Sequence, residues 1–133
     1  MTRAMASLSV LILSISLAAC ATLTVPVGAS VVTPTVGDEI FTTADGTKLP
    51  LRRWLPEGEP RAVVLAVHGF NEYSKAFDNV PAAPGVGRTL AARGVAVFAY
   101  DQRGFGAAPH HGLWAGGDVL AAEVFPVPGE QLV

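Results

Sequence analysis

Three short stretches of this 133-residue chain carry residue types that can do chemistry. In "AVVLAVHGFNEYSKAF", residues 62–77, an apolar run ends at His68-Gly69 and polar residues follow at once. A glycine at a strand tip lets the backbone turn sharply and frees the next amide, that of Phe70, to point into a cleft. Preorganised N–H groups of that kind stabilise charge developing on a carbonyl oxygen, as in an oxyanion hole. The same pair also suits a plain turn whose histidine bonds to nearby backbone.

In "YDQRGFGAAP", residues 100–109, Asp101, Arg103, Gly104 and Gly106 close a second apolar run. The glycines permit a tight loop, and Asp101 is expected to pair locally with Arg103 and fix it, so the motif reads mainly as a structural turn. His110-His111 is the third stretch. Adjacent histidines point in different directions on most backbones, and no acidic or Cys partner sits at ligand spacing, so the reading is a solvated loop with no metal. Neither "GFG" nor "GVGRTL" completes a dinucleotide fingerprint or a P-loop, and no cofactor is expected. Trp54 and Trp114 read as packing residues.

The elements that must position these residues follow from pattern. "DEIFTTADGTKLPLRRWLP", from Asp38, holds two strand-like runs around Asp45-Gly46, a strong hairpin signal. Ala62–Val67 is a continuous apolar run, as in a parallel strand buried on both faces. Residues 86–94 read as a short helix stopped by Gly94, and 95–101 as a second buried strand. Strand, helix, strand within this span is a βαβ unit, so the fold class is α/β.

"AVHGFNEYSKAF" followed by "ARGVAVFAYDQRGFG" resembles the α/β-hydrolase superfamily, in its monoacylglycerol lipase/lysophospholipase-like branch, also described as serine aminopeptidase S33-like. Glu72 and Ser74 match the branch's stretch after His-Gly, whereas Tyr73 replaces its His and Asn71 a frequent Gly. The resemblance covers about residues 38–122. It implies that the Phe70 N–H forms one half of an oxyanion hole, with His68 and Gly69 shaping the loop. It also implies an acyl ester or lysolipid as the substrate of a full-length parent enzyme.

A serine hydrolase of this fold needs a G-x-S-x-G elbow followed by an acid and a histidine. No G-x-S-x-G occurs, and the serines stand at 7, 9, 14, 16, 30 and 74. None of the triad is therefore expected among these residues, and no catalysis by the chain as written. Asp118 suits an N-cap of a further helix, but Pro126 and Pro128 forbid helix beyond it. The resemblance fails near Glu123, which reads as truncation, a frameshift or a partial gene model. The expected sheet is an incomplete α/β-hydrolase sheet, an N-terminal hairpin plus one βαβ unit. Its Ala62–Val67 strand would lack a neighbour, making the product marginal alone. The other reading is a small non-catalytic lipoprotein or pseudoenzyme remnant.

Nine Lys and Arg against eleven Asp and Glu leave no basic stripe, which argues against nucleic-acid binding. At the N-terminus Arg3 precedes the charge-free run "LSVLILSISLAA", too short to span a bilayer comfortably. A signal peptide over 1–19 is the expectation. "LAAC" resembles the lipobox of bacterial lipoproteins, in which Cys20 is lipidated, and Ala19 and Ala21 also fit an ordinary cleavage site. Export to a bacterial cell envelope with a lipid anchor in the membrane follows. Residues 20–37 read as the lipidated Cys and a flexible tether, 38–122 as the hydrolase part, and 123–133 as a divergent tail.

Overall fold

A computed structural model describes residues 24–25, 27–78 and 83–124. The apolar N-terminal segment with Cys20, and the tail from residue 125, lie outside the described residues. Five strands form one mixed sheet: β1 (Thr35–Val36), β2 (Ile40–Thr42), β3 (Lys48–Trp54), β4 (Ala62–Leu65) and β5 (Val95–Tyr100), in the order β1-β2-β3-β5-β4. The expected hairpin is β2 on β3, antiparallel, with Thr42 opposite Lys48.

β3 changes partner along its length. Lys48, Leu49 and Pro50 face β2, whereas Leu51 to Trp54 face β5. Pro50 has no N–H to give a ladder, so it suits the residue at which one pairing ends and the other begins. The sheet curls there, and Phe41 and Leu49 join the core cluster of Leu51, Ala96, Phe98 and Tyr100.

The βαβ unit is present: β4 and β5 pair in parallel, with α1 (Val86–Ala91) between them in sequence. Every residue of β5 is buried, and its side chains alternate between two clusters, as the two-residue period of a strand requires. Leu90 and Ala91 of α1 pack on the face formed by Trp54, Val95, Val97 and Ala99. Gly87 gives α1 its close approach, since a Cβ there would lie 2.3 Å from the Trp54 ring. Trp54 is thus a packing residue.

One expectation about the sheet is corrected. β4 is not buried on both faces: it pairs with β5 alone among the described residues, and Val64 and Val67 remain 36% and 43% exposed. A strand needs neighbours on both edges and cover on both faces to bury such a run, and β4 has them on one edge. Described residues within the span expected to be a flexible tether also make ordered contacts. Thr24 bridges Trp114, the Val31 and Val32 amides donate to the Ala44 carbonyl, and β1 adds a strand to β2. The final helix, α2 (Gly117–Val124), carries Asp118 within its first turn.

Candidate functional site

His68 and Gly69 sit just beyond β4, and the R-G-F-G loop just beyond β5, so the parallel pairing brings the two strand tips together. That is where open α/β sheets bind ligands. His68 is buried, and both ring nitrogens are engaged. The Gly69 carbonyl only accepts, so Nδ1–H donates to it at 2.9 Å, and Nε2 accepts the Gln102 N–H at 3.0 Å. The Gln102 side chain donates back to the His68 carbonyl at 2.8 Å. The imidazole therefore has no nitrogen left for proton transfer to a substrate; it staples the two loops.

The Glu72 N–H donates to the Gly69 carbonyl at 3.2 Å, closing a turn whose third residue, Asn71, has a φ of 63°. A positive φ there is the type II signature and favours Gly or Asn. Asn71 suits that position, where the family resemblance leads one to expect glycine. Phe70, second in the turn, is 78% exposed, and its N–H has no acceptor among the described residues.

Asp101 and Arg103 do not pair with each other, contrary to expectation. Asp101 reaches across to the His-Gly-Phe loop: Oδ1 accepts the Ser74 N–H at 2.9 Å and the Ser74 hydroxyl at 2.5 Å, while Oδ2 accepts the Ala107 N–H at 2.9 Å. Ser74 is 1% exposed, and no histidine bonds to it, so it is a tie-down and not a nucleophile. Gly106 leaves room for this carboxylate: its φ is 56°, and a Cβ would stand 2.3 Å from Asp101 Oδ2. At Gly104, with φ of 82°, a Cβ would stand 2.0 Å from the Leu113 carbonyl oxygen. Any side chain at either position would be forced into these atoms.

Arg103 turns the other way and is 3% exposed. Nη1 donates to Thr47 Oγ1 at 2.7 Å, Nη2 to Asp45 Oδ1 at 2.9 Å and to Thr43 Oγ1 at 3.1 Å, and Nε to Glu123 Oε1. One guanidinium thus joins the hairpin turn, the strand-end loop and α2. Burial alone would raise the Asp45 pKa, but the bonds from Arg103, Thr43 and Thr47 outweigh it and hold the carboxyl well below its usual range. Burial lifts Glu123, against the pull of Arg103 and with a further push from the Asp45 charge. Burial, then the Glu123 charge, also pushes the Tyr100 hydroxyl upward. Sequence reasoning missed this network because its other members stand 20 to 60 residues from Arg103. The one local hint is an arginine directly after a buried strand.

His110 has a φ of 61°, and His110 and His111 are both exposed. Among the described residues no group of three or more His, Cys, Asp or Glu converges as a metal site.

The segment that holds these two linked strand-tip loops also matches a known family. The sequence profile of the serine aminopeptidase S33 family matches residues 58–125, just over half of the chain. The chain belongs to the serine aminopeptidase S33 family. An uncharacterized abhydrolase domain-containing protein of Dictyostelium discoideum is 38% identical to it over 64 residues, which are 48% of this chain. The S33-family chain spans only 6% of that relative's length. The family match begins just before β4 and takes in both strand-tip loops, Arg103, and α2 with Glu123, but none of the hairpin residues Thr43, Asp45 and Thr47 that Arg103 also binds, which precede it. The matched segment thus holds His68, Gly69, Phe70 and the R-G-F-G loop.

Proposed function

We propose that this S33-family chain is the N-terminal part of an exported serine ester hydrolase, lysophospholipase- or monoacylglycerol lipase-like, held at a membrane through a lipid on Cys20. Its own contribution to the chemistry is the Phe70 N–H, one of the two donors that meet the oxyanion. The nucleophile, the acid and the catalytic histidine belong to sequence beyond Val133, and the reaction is acyl transfer through the serine. The observation that carries this reading is the Phe70 amide beyond the tip of β4, unpartnered among the described residues and held by a turn, a stapling histidine and a tied serine. The alternative, a non-catalytic lipoprotein, gives no reason for a free amide on so heavily fixed a loop.

The test uses the enzyme encoded when the reading frame carrying G-x-S-x-G is joined after this segment; the absence of any such frame defeats the proposal at once. Phe70 is second in a type II turn, a position that accepts proline. Phe70→Pro thus deletes the N–H while keeping the turn, and Phe70→Ala deletes only the ring. Loss of one oxyanion donor lowers kcat by about 100- to 1000-fold. That drop is expected for Phe70→Pro relative to Phe70→Ala, on a monoacylglycerol or lysophospholipid. Equal kcat for the two variants would remove the amide from the mechanism.

A further inference from the structure

Beside the Phe70 amide stands a group of aromatic rings that the oxyanion role does not use. Phe70 lies 5.6 Å, centroid to centroid, from both Phe105 and Trp114, and Phe105 lies 6.3 Å from Trp114. The Phe105 ring also sets its edge against His68 at 5.4 Å, which fixes it to the stapled loop. Tilted and edge-on contacts at these separations are favourable and hold rings in place. Yet Phe70 is 78% exposed and Trp114 38% exposed. A cavity of about 160 Å³ opens between these rings, with Gly104, Gly112 and Leu113 in its wall and Asn71 and His111 as its polar members. Gly104 matters here, because a side chain at 104 would collide with the Leu113 carbonyl that shapes the same wall.

The geometry points to a subsite for the apolar group attached to the substrate's carbonyl carbon, sized for a short acyl chain or a single phenyl ring. The inference rests on the oxyanion reading of Phe70, since that reading puts the carbonyl oxygen on the residue whose own ring borders the cavity. At roughly 30 Å³ for each water-sized group, the space takes about five heavy atoms. A long fatty chain exceeds it and has to run out over the exposed Phe70 face. Among monoacylglycerols and lysophospholipids, the preferred substrates are therefore those whose acyl group is short or aromatic.

The full 133-residue chain is titrated with acetate, hexanoate, dodecanoate and hexanol, following the Phe70 amide and the Trp114 indole by NMR. A carboxylate oxygen imitates the oxyanion, and the buried Trp54 indole reports that the fold is intact. Hexanoate is expected to shift both signals and to bind at least about tenfold tighter than acetate, because each buried methylene adds to binding. Dodecanoate gains little beyond hexanoate. Trp114→Ala removes the hexanoate advantage and leaves acetate unchanged. If acetate and hexanoate move the Phe70 amide alike while Trp114 stays still, the subsite is overturned and the oxyanion reading stands. If hexanol and hexanoate move Trp114 equally and the Phe70 amide stays still, the oxyanion reading falls and takes the ester assignment with it. No saturable shift at either signal overturns both. The same titration on Val64→Lys, a change on the outer strand, serves where the wild-type chain self-associates.

Discussion

Asp101 illustrates how one side chain can carry several structural duties at the residue scale. It is 3% exposed and takes three hydrogen bonds from two loops, so it links the His-Gly-Phe turn to the R-G-F-G turn. Asp101→Asn keeps an oxygen for Ser74 but turns an NH2 toward the Ala107 N–H, donor against donor. A buried donor left unpaired costs about 1–3 kcal/mol. The urea midpoint of the variant should fall accordingly, with an unchanged slope. A midpoint equal to wild type would mean that the two loops are held without Asp101. His68 acts in the same way, and its geometry separates it from catalytic histidines, which need a nitrogen free to exchange a proton.

Between elements, the Arg103 network has a pH dependence whose sign can be worked out. Burial chiefly, opposed by Arg103 and assisted by Asp45, raises the Glu123 pKa above its ordinary 4.5. Above pH 4.5 the folded chain keeps a proton that the unfolded chain has shed, so this group's contribution to stability falls as pH rises. Asp45 behaves in the opposite sense. Its burial works to raise the pKa from the ordinary 3.8, but Arg103, Thr43 and Thr47 together depress it. Its contribution is full above 3.8 and is lost as pH falls through the depressed value. The network is thus most stabilising between 3.8 and 4.5. Glu123→Gln keeps an acceptor for Arg103 Nε and removes the titrating group. The decline in urea midpoint above pH 4.5 should therefore flatten in the variant. An unchanged decline would assign it to another group.

At the level of the whole molecule, the sheet ends on β4. Its far edge has no strand beside it among the described residues, and Val64 in the strand and Val67 just beyond it are partly exposed. Unpaired, apolar edges recruit other chains, and an edge lysine blunts them. The 133-residue chain, expressed as such, is expected to self-associate in gel filtration as its concentration rises. Val64→Lys should shift it toward monomer without changing its far-ultraviolet circular dichroism. A wild-type chain that stays monomeric throughout would show that something covers this edge.

Much of this was legible without coordinates, for a physical reason. The hairpin around Asp45-Gly46, the two apolar strands and the helix ending before Gly94 rest on short-range rules of turn chemistry and periodicity. The His-Gly and R-G-F-G motifs could likewise be put at strand tips, because each directly follows its strand. The partners of the charged residues could not be read. Asp101 and Arg103 are two residues apart and looked like a pair, but a carboxylate and a guanidinium bond to whatever the fold brings within reach. For Asp101 that was Ser74, 27 residues away, and for Arg103 it was Asp45, 58 residues away. Sequence alone determined the family, the strand-tip loops and the Phe70 amide as the donor to watch. Only the tertiary structure decided that His68 is a staple, that Ser74 is a tie-down and that the rings of Phe70, Phe105 and Trp114 meet. Those outcomes depend on which distant segments the curled sheet brings together, and local pattern does not encode that.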